Sequence, residues 1–169
     1  YVYWSQHLDA TYALRPFALF GLFHWLAPGS EWVLRMGPIL TGTLSLLLVY
    51  RLCRQHDLSQ AAALTAAATL GSCHWFWHTT SFLHPDGPLV TCWLLTLVFA
   101  QRCWGGEHSP RWRDLILVGT AAGLTLLCKY SAAFLVAGLV AWIAIARRDV
   151  REVAWVAAAA TVVAAPLLQ

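Results

Sequence analysis

Lys129 is the one lysine in the chain, and it interrupts the apolar stretch Leu115 to Ala146. A cation in such a place costs at least about 2.5 kcal/mol on insertion scales, so it calls for an anionic partner or a water-filled cavity. A phosphate is one such partner; a snorkelling or ion-paired lysine of structural use is the other reading. Asp86 lies between Pro85 and Pro88 in the breaker sequence His84-Pro85-Asp86-Gly87-Pro88. A carboxylate held rigidly there suits a metal ligand or an acceptor for a sugar or amine, and equally a plain N-cap for the helix that follows. His84 adds a second donor beside it. Arg15 precedes Pro16 and the apolar run Phe17 to Ala27, where a guanidinium can grip a phosphate in bidentate fashion or anchor the segment to lipid headgroups. His74 and His78 share one helix face and could ligate haem or a transition metal, but no matching pair is visible elsewhere. Beside Trp75, Phe76 and Trp77 they read better as an interfacial aromatic belt. Arg35, four residues after Glu31, reads as half of a local ion pair.

The elements that position these residues follow from composition. The 169 residues are 59% hydrophobic and 11% charged, with mean hydropathy +0.60, whereas a soluble domain carries roughly 25% charged residues. A water-soluble globule, a disordered chain and a disulfide-stapled secreted domain are all excluded. What remains is an all-α, polytopic membrane protein. Cys53, Cys73, Cys92, Cys103 and Cys128 lie in or beside apolar runs with no CxxC spacing, and read as small core hydrophobes.

A span needs about 20 apolar residues to cross a core of about 30 Å. Val33 to Tyr50, Leu58 to Leu83, Leu89 to Trp104, the long stretch Leu115 to Ala146 and Val153 to Leu168 are the candidates, making 33–168 the transmembrane part. Eight of the eleven Lys and Arg residues fall in three loops, Arg51 and Arg54; Arg102, Arg111 and Arg113; Arg147, Arg148 and Arg151. Short basic loops stay cytoplasmic, which puts the His84 to Pro88 turn on the outer side. Leu115 to Ala146 then has cytoplasmic clusters at both ends and must cross twice or dip and return. Each limb around Lys129 is roughly 22 to 26 Å long, so the apex sits below the outer surface, at the floor of a cavity. Gly119 and Gly123 on the rising limb form a small-xxx-small pair that admits another helix closely. Residues 1–32, with Tyr1, Tyr3, Trp4, His7, Tyr12 and Trp25 among polar groups, read as amphipathic helices in the outer interface. The chain opens on Tyr1 and stops at Gln169 after an apolar run, and is expected to be part of something longer, with 1–169 a single membrane domain.

Taken in order, YVYWSQHL, Arg15-Pro16, SFLHPDGPLVTCWLL and GLTLLCKYSAAFLVAGL resemble the dolichyl-phosphate-mannose-protein mannosyltransferase-like family, glycosyltransferase family 39, whose members are GT-C membrane enzymes. The PDxP turn and the LxKY apex are the more specific pair. The resemblance implies a GT-C-like helical bundle in the inner (plasma) membrane, with its active site on the outer, periplasmic side. It also implies transfer of a sugar from a polyprenyl-phosphate carrier to a protein, lipid or glycan acceptor, with membrane lipids and no nucleic acid as further partners. In the family an Asp-Glu pair, whose aspartate is assigned as catalytic base, stands just before the tyrosine-rich stretch; here that position lies before Tyr1, so no residue of 1–169 is assigned as base, and this stretch alone is expected to be inactive. Arg15-Pro16 matches the family's basic-Pro motif with Phe17 where a second proline is common. Lys129 and Tyr130 match the Lys-Tyr that lines the donor cavity, and Asp86, with His84 beside it, matches an acidic position near the donor phosphate or a divalent metal cation. A multispan transporter built around Lys129 is the alternative, and it predicts inverted repeats that the sequence does not show; a structural or assembly subunit is a third reading.

Overall fold

The structure, a computed structural model, describes residues 30–81, 84, 86–106 and 109–165. Helices α1 (Glu31–Gln55), α2 (Gln60–Ser72), α3 (His74–Ser81), α4 (Asp86–Trp104), α5 (Trp112–Cys128), α6 (Ala133–Trp142) and α7 (Val150–Ala164) account for nearly all of it, and no strand occurs among the described residues. A 3-10 turn, Tyr130–Ala132, leads into α6, and a π turn, Ile143–Arg147, leads out of it. The all-α membrane bundle expected from composition is therefore what forms. The expected interfacial helices of residues 1–32 lie outside the described residues up to Gly29, as does Arg15, and α1 starts at Glu31, two residues before the apolar run.

Local chemistry sets the boundaries. Ser59 caps α2 by accepting from the Ala62 amide at 3.2 Å, and Asp149 caps α7 by accepting from the Arg151 amide at 2.8 Å. The α1 to α2 connection reverses through Asp57 at φ 57°, and the π turn ends at Arg148 at φ 55°, both in the left-handed region. The apolar stretch Leu58 to Leu83, read from sequence as one span, is instead two helices broken at Cys73, whose ψ of 122° is extended. No proline marks that break. The sequence offers five span-length stretches; by length and hydropathy Arg35–Gln55 and Tyr130–Arg147 qualify singly, and the pair His74–Ser81 with Asp86–Trp104, bent by 110°, makes a third if counted together.

Two clusters fix which ends meet. Leu89 at the start of α4 packs with Cys128 at the end of α5 and Ala132 before α6. At the other end Cys103, Leu115, Val118, Ile143 and Val156 form one buried cluster, joined by Trp104, Leu139 and Val153. Thus α5 runs away from the basic end, breaks at Lys129 (φ −163°, ψ 140°), and α6 returns to it, the hairpin expected of Leu115 to Ala146. The small residues on α5 do what their spacing predicts, against α7: a Cβ on Gly119 would stand 2.7 Å from the Ala159 Cβ, and one on Gly123 2.7 Å from the Val163 Cβ. Only glycine permits that approach.

Hydroxyls tie α1 to α4 through the apolar interior. Thr91 donates to the Thr41 carbonyl at 2.9 Å, and its oxygen lies 2.8 Å from Ser45 Oγ, both side chains being buried. Thr96 and Thr125 meet at 3.3 Å between α4 and α5. Bonds of this kind hold apolar helices in register at roughly 0.6 kcal/mol each.

Candidate functional site

The site begins at two helix breaks. Pro85 and Pro88 cannot continue a helix inward from α3, so α4 starts anew at Asp86. Gly87 lets that start come against α3: a Cβ there would stand 2.9 Å from the Thr79 carbonyl oxygen and 3.5 Å from Thr41 Oγ1. The second break is Lys129, which ends α5 in extended backbone. Leu89 packed on Cys128 brings the two breaks together.

Lys129 Nζ donates to Asp86 Oδ1 at 2.9 Å. The carboxylate is 9% exposed and the ammonium-bearing side chain 46%, so the pair is a buried anion lidded by a half-solvated cation. The sequence leaves Lys129 open between an external phosphate and an internal ion pair; its first partner is Asp86, because the α4 start and the α5 end meet in space. An ammonium has three hydrogens, and one is used here. Two remain for a further acceptor on the exposed side.

His84 completes the group. Its Nδ1 accepts from the Asp86 amide at 3.3 Å and lies 3.4 Å from Asp86 Oδ2. One nitrogen cannot do both: without a proton it accepts from the amide, and with one it faces the carboxylate as a donor. The His78 ring meets His84 edge-on at 6.4 Å. Tyr130 follows Lys129 in the 3-10 turn and is 57% exposed. His74, Trp75, Trp77 and His78 are exposed around a buried Phe76, as an aromatic belt would be. The structure therefore unites Lys129, Asp86 and His84, sets Tyr130 beside them in the chain, and leaves Arg15 outside the described residues. The expected Glu31–Arg35 pairing also falls outside them, since the Glu31 side chain is not among those described.

A second polar group, at the basic end, escaped the sequence reading. Glu152 is 6% exposed, accepts from Trp104 Nε1 at 2.8 Å and lies 3.6 Å from Arg147 Nε. The Trp104 and Trp142 rings meet edge-on at 5.2 Å. Its signal in the sequence is an acid in the first turn of an apolar helix. All five cysteines are free, with Cys103 and Cys128 buried, as expected of core hydrophobes.

A curated relative, the undecaprenyl phosphate-alpha-4-amino-4-deoxy-L-arabinose arabinosyl transferase of Erwinia tasmaniensis, is 28% identical over 148 residues, 83% of this chain. The chain spans 27% of that relative's length. No solved structure matches. The family model described as dolichyl-phosphate-mannose-protein mannosyltransferase matches residues 13–168, a range holding both helix breaks and the whole Asp86–Lys129 pair, and the chain belongs to that family.

Proposed function

We propose that this chain contributes the donor-phosphate subsite of a membrane glycosyltransferase that moves a sugar from a polyprenyl-phosphate carrier to an acceptor. The observation that carries the reading is the Asp86–Lys129 pair at 2.9 Å, whose anion is buried and whose cation is half-exposed. In the transfer the bond from the sugar's anomeric carbon to the phosphate oxygen breaks. The acceptor bonds to that carbon and gives its proton to a base, and the carrier phosphate leaves with the electron pair. Negative charge grows on that phosphate, so a cation already oriented toward it accelerates departure. Lys129 is suited to this. Asp86 fixes one N–H of the ammonium, and the others are free to meet phosphate oxygens with no reorganisation. Arg15 is proposed as a second cation on the same phosphate, and Tyr130 as a wall of the same cavity. The base is not assigned among the described residues.

A divalent cation is the other partner considered for Asp86 and His84. Lys129 already engages Oδ1, and no three His, Cys, Asp or Glu side chains come together among the described residues. These residues do not make a metal site by themselves, and no step is drawn through one. The basic loops favour the cytoplasmic side of the inner membrane, which supports an outer, periplasmic face for Asp86 and Lys129.

The test is Lys129→Met in the enzyme at the full length of its relatives. Polyprenyl-phosphate affinity is expected to fall by a charged hydrogen bond's worth, about 1.5 to 3 kcal/mol, and Lys129→Arg to restore part of it. A folded Lys129→Met protein with unchanged carrier affinity and turnover overturns the reading.

A further inference from the structure

Between α1, α4 and α6 lies a groove of about 670 Å³ that opens at the basic end and reaches back to Phe134 at the start of α6, within the roughly 300–1,000 Å³ of sites that hold small molecules. Its walls are Leu52 of α1 and His56 that caps it, Leu97 and Trp104 of α4, and Phe134 and Trp142 of α6. Along α4 and α6 it runs from Trp104 back to Leu97 and from Trp142 back to Phe134, about 11 to 12 Å at 1.5 Å per residue. That is most of the roughly 15 Å depth of one leaflet's hydrocarbon. The polar lining residues, His56 and Gln101, lie at the end where the basic loops emerge.

We infer that this groove holds an acyl chain of an anionic glycerophospholipid whose headgroup phosphate rests among the arginines at its mouth. Arg51 neighbours Leu52, Arg102 lies in the last turn of α4, and Arg148 follows the π turn after Trp142; all three are exposed and none forms an ion pair among the described residues. Across the three basic loops, eight arginines stand against five acids, Asp57, Glu107, Asp114, Asp149 and Glu152. Basic pockets between transmembrane helices recognise anionic headgroups in this way. The depth of the groove also separates a lipid from a protein occupant. A transmembrane helix laid here would need a seat through both leaflets, whereas the groove ends at Leu97 and Phe134, one leaflet deep.

Gly138 supplies the test. It lines the groove, and a Cβ built on it meets nothing within 4 Å, so Gly138→Leu projects a side chain into the groove and narrows it. Gly106, equally open and outside the groove, gives the control Gly106→Leu. The full-length protein is purified in mild detergent, and retention of phosphatidylglycerol and of phosphatidylcholine is measured by native mass spectrometry. Phosphatidylglycerol is expected to be retained in preference. Arg102→Gln is expected to weaken it about fivefold, the equivalent of about 1 kcal/mol per basic residue. Gly138→Leu is expected to weaken retention of the bound copy, and Gly106→Leu to leave it. Equal retention of the two lipids, or an unchanged bound copy in a folded Gly138→Leu protein, overturns the proposal, as does disulfide trapping of another helix of the protein against a cysteine at Phe134. Should Gly138→Leu fail to fold, Arg102→Gln decides alone: unchanged phosphatidylglycerol retention overturns it.

Discussion

Asp86 and Lys129, 43 residues apart, meet at 2.9 Å at the point where α4 begins and α5 ends. Each residue sits at a break that the apolar helices around it would not otherwise make.

Removing both partners should cost less than the sum of removing each alone. Lys129→Met leaves a buried carboxylate without its cation, and Asp86→Asn leaves the half-solvated ammonium with a weaker acceptor. In mild-detergent unfolding, Lys129→Met is expected to lose about 1 to 2 kcal/mol, below the full charged-bond value because the cation is partly solvated. Asp86→Asn should lose less, and Asp86→Asn/Lys129→Met together less than the sum. Additive losses would mean that the pair does not couple in the folded protein.

Much of this architecture is legible in the sequence, and the gaps have physical causes. Apolar run lengths give the all-α bundle, the lone lysine marks the apex of the Leu115 to Ala146 hairpin, and Gly119 with Gly123 marks the close contact, here with α7. Proline punctuation marks the start of α4. The break at Cys73 has no such mark. The Asp86–Lys129 pair could not be read because span periodicity fixes which end of a helix a residue occupies but not its rotation about the axis. Thr41, Ser45 and Thr91 bond across helices for the same reason unseen. Their trace is small hydroxyl residues, two of them at i, i+4, inside apolar stretches. The Glu152 group depends on a π turn that sequence does not announce.

Gly87 is expected to be as sensitive as the charged residues. A methyl group there would press on the Thr79 carbonyl oxygen, 2.9 Å away, and neither backbone can yield without moving the start of α4. Gly87→Ala should therefore displace Asp86 and lower carrier-phosphate affinity several-fold while far-ultraviolet circular dichroism stays helical. Gly138→Ala, where a Cβ meets open space, should not. Equal affinities for the two variants would remove Gly87 from the positioning of the site.

Sidedness can be settled by labelling intact cells. After replacement of the five native cysteines, Tyr130→Cys, at an exposed turn of the Asp86 end, should react with membrane-impermeant maleimide. Ser109→Cys, in the basic α4–α5 connection, should be protected until the cells are opened. The reverse pattern inverts the topology and moves the proposed phosphate site to the cytoplasmic face.

Glu152 tests whether the basic end is a built structure or a loose collection of charges. Its carboxylate is buried and takes the Trp104 indole hydrogen at 2.8 Å, with Arg147 at 3.6 Å on the same oxygen. Glu152→Ala removes the acceptor for both and leaves the indole N–H of a partly buried tryptophan unpaired. A net loss of about 1 to 3 kcal/mol follows from stranding such a donor. Glu152→Gln keeps an acceptor oxygen for Trp104 and sheds only the charge, so it should recover most of the stability and lose the contribution of Arg147. That contribution is small, because the arginine side chain is 38% exposed and partly screened. Because Trp104 also stacks edge-on against Trp142, the alanine variant should broaden the near-ultraviolet circular dichroism of the tryptophans while the glutamine variant keeps it. If alanine and glutamine behave alike in both stability and spectrum, the indole bond contributes nothing and Glu152 is held there by packing alone.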